Sequence, residues 1–135
     1  MKTLLDFKVI YENLPGQPAW EGSFYERLTE EGIWDEDEFW KLHYDLIRVA
    51  RENKGEEMDR ILAAAIVKIC LRVNNLISAH YDSNDIFVIK NLSAERLFKF
   101  GERFNITIMD AFSGEVFDEE RFGLKNPLIV KGDVA

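Results

Sequence analysis

In 135 residues the chain has one cysteine, three prolines and two histidines. A lone Cys70 excludes an internal disulfide and a cysteine-based zinc site. It suits a reducing compartment such as the cytoplasm. No stretch reaches the ~20 uninterrupted apolar residues that cross a bilayer. Met1-Lys2 is not followed by a long apolar segment, so no signal peptide is expected. The sequence contains no G-x-S-x-G, no H-E-x-x-H, no phosphate-cradling glycine loop and no dinucleotide fingerprint. Bases are outnumbered 17 to 25, for a net charge of −8. Phosphate binding needs clustered Lys and Arg, so a nucleic acid is not expected as a direct ligand.

What is present is a concentrated negative charge. Residues 21–60 hold 13 of the 25 acids and 6 of the 17 bases, a net of −7. Charge gathered in this way steers oppositely charged partners, although acidic helix surfaces are also common on soluble proteins. The rest of the composition, 47% hydrophobic with ten Phe, four Tyr and three Trp, describes one folded domain over residues 1–135. Tyr and Trp are also residue types that anchor interfaces.

The elements read as mainly α. Leu5, Phe7, Val9 and Tyr11 alternate with Asp6, Lys8 and Glu12, which predicts a half-buried strand over Leu4–Glu12 that Ile10 blurs. Ser23 with Glu26 has capping-box spacing, and Gly32 provides a left-handed stop, giving a short helix. Asp35 repeats the device before a helix running to about Asn53. Its buried face is Phe39, Leu42, His43, Leu46 and Ala50, widened by Trp40, Tyr44 and Ile47. The acids Asp35 to Glu38 complement the positive end of that helix dipole. Residues 58–79 are apolar around most of their girth, with a narrow polar stripe at Lys68, Arg72 and Asn75. That pattern predicts a central buried helix. Ile86–Lys90 reads as a short strand or an extended link. Ser93 starts a helix with Leu97, Phe100, Phe104 and Ile108 buried and Phe98 and Met109 extending that face, and Ser113-Gly114 ends it. A short helix from Asp118, a strand at Leu128–Val130 and fraying from Gly132 complete the expectation.

Chemistry has few candidates. His43 and His80 each begin a His-Tyr-Asp tripeptide, so a small metal-dependent enzyme using His43, His80, Asp82 and Asp85 is conceivable. The competing reading makes His43 a hydrogen-bonded core residue and His80 a helix-terminating one, and it is preferred, with no metal or cofactor expected. Residues 82–85 lack the ligands and the glycine of a calcium loop. Cys70, among Ile69, Leu71 and Val73, reads as packing. What remains suits a stoichiometric binder, with a general helical interaction or regulatory module as the second possibility. An acidic surface with aromatic anchors fits a basic cleft. The contact candidates are Glu30, Glu31, Asp35, Glu36 and Asp37, then Asp82 and Asp85, then Asp118, Glu119 and Glu120.

Four segments also resemble a known family. These are Trp20-Glu21-Gly22-Ser23-Phe24, the run Ile33 to Leu42 (IWDEDEFWKL), Phe87-Val88-Ile89-Lys90-Asn91-Leu92 and Phe112-Ser113-Gly114-Glu115. Their order and spacing are similar to small immunity proteins of bacterial contact-dependent growth inhibition and polymorphic toxin systems. The resemblance covers about residues 20–116. It implies a cytoplasmic, non-enzymatic protein that binds a delivered toxin domain, often a nuclease, and blocks its active site. Because such families diverge at the toxin-contacting surface, it also implies that Trp34, Phe39, Trp40 and Phe87 are structural.

Overall fold

A computed structural model describes residues 1–129. Among them the regular elements are all helical. The five α-helices are α1 (Lys8–Glu12), α2 (Phe24–Glu31), α3 (Glu36–Glu52), α4 (Arg60–Tyr81) and α5 (Ala94–Ser113). Single 3₁₀ turns sit at Leu4–Asp6, Pro18–Trp20 and Glu119–Arg121. The mainly α expectation holds, and the helix starts fall where the capping residues place them. Ser23, Asp35, Asp59 and Ser93 each accept a backbone N–H from three residues on, which satisfies one orphan donor per helix.

The strand expected over Leu4–Glu12 is instead the first 3₁₀ turn followed by α1. No other strand among the described residues offers it a ladder, and a strand without a partner leaves its backbone unpaired. The buried residues are Phe7 and Ile10, three apart as a helical turn requires, while Leu5 points to solvent. The carboxylate of Asp45 on α3 completes the turn. Its Oδ2 accepts from Val9 N at 2.8 Å and Ile10 N at 3.2 Å, capping α1 from outside because Phe7 has no side chain to do so.

Residues 86–90 form the extended link, not a strand. Lys90 N donates to Gly32 O at 2.8 Å, and Ile89 N donates to His80 Nδ1 at 2.9 Å. Leu128 and Ile129 lie in a turn. Val130, the last residue of the expected terminal strand, and the segment from Gly132 lie outside the described residues.

The central position belongs to α3, not to the helix at 58–79. Nine of the 17 residues of α3 are buried, against five of the 22 in α4. α3 packs mainly on α5. Between them lies an aromatic cluster: Phe39–Phe100 centroids are 5.0 Å apart, Trp34–Phe100 5.4 Å and Phe24–Trp34 4.8 Å, mostly in the tilted and edge-on arrangements that rings prefer. α4 crosses this core on one face only, through Leu62, Ala65, Ile66, Ile69 and Val73. By length and mean hydropathy alone (22 residues, 1.6) α4 is apolar enough to cross a membrane. However, Lys68 and Arg72 stand in its middle, and its inner face is committed to the core.

Candidate functional site

The ten acidic candidates do not form one open patch. Arg27 on α2 reaches both Glu31, at 3.4 Å, and Asp35, at 2.8 Å. Arg96, arriving from α5, pairs with Glu36 at 2.7 Å. Glu38 and Glu52 in the same block are likewise held, by Lys41 and Arg48. Part of the local field inferred from the sequence is therefore neutralised within the chain. Asp35 also caps α3, so it serves the fold before any partner.

Glu119 lies apart from the other nine. It is buried, and it accepts from Arg103 at 2.9 Å and from Asn126 N at 2.6 Å. Its assignment as a surface contact is wrong: the carboxylate faces inward because the turn at Asp118 directs it onto a cation. Six candidates remain exposed with no cation within 4 Å among the described residues: Glu30, Asp37, Asp82, Asp85, Asp118 and Glu120. Asp82, Asp85 and Asp118 each accept a backbone N–H two residues on, at 2.9, 2.9 and 3.0 Å. Those turns fix the carboxylates at loop tips and leave their charge facing water.

Around Glu119 is a buried polar network. Arg103 Nη2 contacts His43 Nε2 at 2.9 Å, and Asn126 Nδ2 contacts His43 Nδ1 at 2.9 Å. Arg103 Nη1 donates to the Leu124 carbonyl, and its guanidinium lies 3.8 Å from the Phe122 ring centroid. Asn126 is held in place by donating to Trp40 O at 3.0 Å and accepting from Leu128 N at 2.8 Å. A neutral imidazole can accept at only one nitrogen, yet both of these neighbours are donors. Charging the ring would set an N–H against a donor on each side. Burial, reinforced by the Arg103 charge, lowers the His43 pKa from 6.5 to about 3. His43 is thus the neutral core histidine that its place on the apolar face predicts. Nearby, burial raises Asp110 from 3.8 to about 6, opposed by the Phe117 amide and Arg103.

His80 is elsewhere, its Nδ1 accepting from the 86–90 link. The two histidines thus belong to separate hydrogen-bond networks. Among the described residues no three His, Cys, Asp or Glu side chains are grouped to hold a metal ion. Cys70 is only half-buried. Burial raises its pKa, partly offset by the Asn74 amide, which favours the unreactive thiol.

The sequence reading missed a second surface. Leu71 on α4 is 59% exposed, and Phe98 and Met109 on α5 are 67% and 63% exposed, against the expectation that the last two extend the buried stripe. Their helical positions fall about 100° or more from Phe100 and Phe104, which the wheel alone could have shown. Arg103 and Asn126 carry no sequence signal of burial at all.

Comparison with protein-family models, with curated proteins and with solved structures returns no match.

Proposed function

We propose that this chain is a toxin-neutralising immunity protein: a non-catalytic cytoplasmic inhibitor that binds a basic toxin domain, a nuclease by preference, and covers its active site. The observation that carries this reading is the set of six exposed carboxylates without a cation of their own among the described residues. Glu30 and Asp37 flank the α2–α3 corner; Asp82 and Asp85 follow α4; Asp118 and Glu120 sit on the C-terminal turn. Such groups lose little on approach to a cationic cleft, because no internal salt bridge must first be broken. They would speed encounter at low salt and then form charge-assisted hydrogen bonds. Asp35 and Glu36 are weaker candidates, since their pairing with Arg27 and Arg96 would have to be broken.

The test is co-expression with the toxin domain of a large secreted protein encoded beside this chain, scored by survival. Purified partners should form a 1:1 complex whose association slows steeply as salt rises. Glu30→Lys with Asp37→Lys should slow association tenfold or more at low salt and much less at high salt. Unchanged association and unchanged survival with that double variant would overturn the acidic-contact reading.

A further inference from the structure

The α4–α5 pair leaves an apolar face uncovered. The two helices run antiparallel: Tyr81 reaches Ala94 O, Ile77 lies against Gly101, and Asn74 and Asn105 bond side chain to side chain at 2.9 Å. Beside this seam, facing away from the core, stand Val67 and Leu71 of α4 and Phe98, Met109 and Phe112 of α5, all exposed. Only 28% of the most apolar stretch of α4 is buried. Five half-exposed side chains of this size present on the order of 600 Å² of apolar surface, the upper end of what a monomer ordinarily leaves open.

The charges along this face are arranged by edge. At 100° per residue, Lys68 and Arg72 lie on the edge of α4 remote from α5. The edge of α5 remote from α4 carries Glu95, Lys99 and Glu102; Lys99 pairs with Glu95 at 3.3 Å, which leaves Glu102 as the unpaired charge of that edge. Lys68, Arg72 and Glu102 are exposed, and none of these three has an opposite charge within 4 Å among the described residues. Positive edge, apolar middle and negative edge make the face complementary to itself. A two-fold axis along the seam lays α4 of one copy over α5 of the other. That places Lys68 and Arg72 of each copy on the Glu102 side of its neighbour, as an isologous interface requires. Two such faces would cover about 1,200 Å², the lower bound of specific interfaces.

We infer that the occupant is a second copy of this chain: the protein is a homodimer that closes a four-helix layer from α4 and α5 of both copies. This goes beyond the inhibitor reading and does not depend on it, since none of the six unpaired carboxylates belongs to the face.

Sedimentation or light scattering on the full chain tests it. The mass should approach twice 15.8 kDa at tens of micromolar and fall on dilution. Leu71→Glu, an exposed position, should weaken association at least tenfold, with a thermal midpoint equal to that of the wild type when both are diluted to monomer. Arg72→Glu should weaken it, and adding Glu102→Arg should recover most of the loss. A chain that stays monomeric to millimolar concentration overturns the inference, as does a Leu71→Glu variant of unaltered mass. So does failure of the double charge swap to recover association. Binding of the monomer to anionic phospholipid vesicles through this face would assign it to a membrane surface and overturn it as well.

Discussion

Asn91 closes both backbone groups of Trp34: Trp34 N donates to Asn91 Oδ1 at 2.9 Å, and Asn91 Nδ2 donates to Trp34 O at 2.9 Å. One residue earlier in the link, Lys90 N donates to Gly32 O. Two segments 57 residues apart are thus joined as a strand pair would be, but with a side chain supplying half of the pairing. Trp34 needs this help because its ring is wholly buried and its backbone lies between two helices, where no helical partner exists.

Asn91→Ala should therefore destabilise the fold by about 1–3 kcal/mol, the cost of orphaning a part-buried donor and acceptor. Gly32→Ala acts at the same junction. Gly32 has φ 68°, and a Cβ there would collide with the Val88 carbonyl. Urea unfolding of both variants decides the matter; a loss below about 0.5 kcal/mol in each would show that the link is not fastened here.

Removing the carboxylate of Asp45 leaves two amides at the start of α1 without a partner and Arg48 without its 3.1 Å contact. Asp45→Ala should cost about 2–4 kcal/mol. Hydrogen exchange at Val9 and Ile10 should accelerate more than exchange in α5. Equal acceleration everywhere would mean that Asp45 acts on global stability without capping α1.

The pair Arg103–Glu119 is almost fully buried and ties the C-terminal segment to α5. Glu119→Gln strands a buried guanidinium and should cost about 3 kcal/mol or more. Glu120→Gln, one residue on and exposed, should be close to neutral. Similar effects for the two would contradict the inward orientation of Glu119.

His43 and Asp110 give stability opposite pH slopes. The folded protein refuses a proton at His43 that the unfolded chain takes up below pH 6.5, so this contribution is full above 6.5 and disappears as pH falls through about 3. The folded protein keeps a proton on Asp110 that the unfolded chain releases above 3.8. That contribution is full below 3.8 and is lost as pH rises through about 6. Asp110→Asn should accordingly gain about 2 kcal/mol relative to wild type at pH 7 and little at pH 4. The variant-minus-wild-type difference for His43→Gln should fall as pH rises from 4 to 6.5. Flat difference curves from denaturant titrations across this range would rule out both shifts.

Much of this architecture is legible in the chain. Ser23, Asp35 and Ser93 mark helix starts because a cap is a local hydrogen bond between residues three apart. Gly32 and Gly114 mark ends because a left-handed turn is a local backbone property. Periodicity places Phe39, Leu42, His43 and Leu46 inside, and all four are buried. The candidate contacts were less legible. Counting acids locates charge, and the i,i+4 spacing of Arg27 and Glu31 on α2 is legible, but neither shows that Arg27 reaches Asp35, that Arg96 reaches Glu36, or that Glu119 turns inward, because those partners come from separate elements.

The sequence by itself determined that the four longer helices form, about where they begin and end, and how the charge is distributed along the chain. Each of these depends on residues a turn or two apart. Only the tertiary structure decided that α3 rather than α4 lies at the centre, that Leu4–Glu12 winds into turns capped by Asp45, and which carboxylates remain free. Burial and ion pairing depend on what packs opposite. Hydrophobicity alone does not say whether an apolar helix face meets the core of its own chain or is left for another surface to cover.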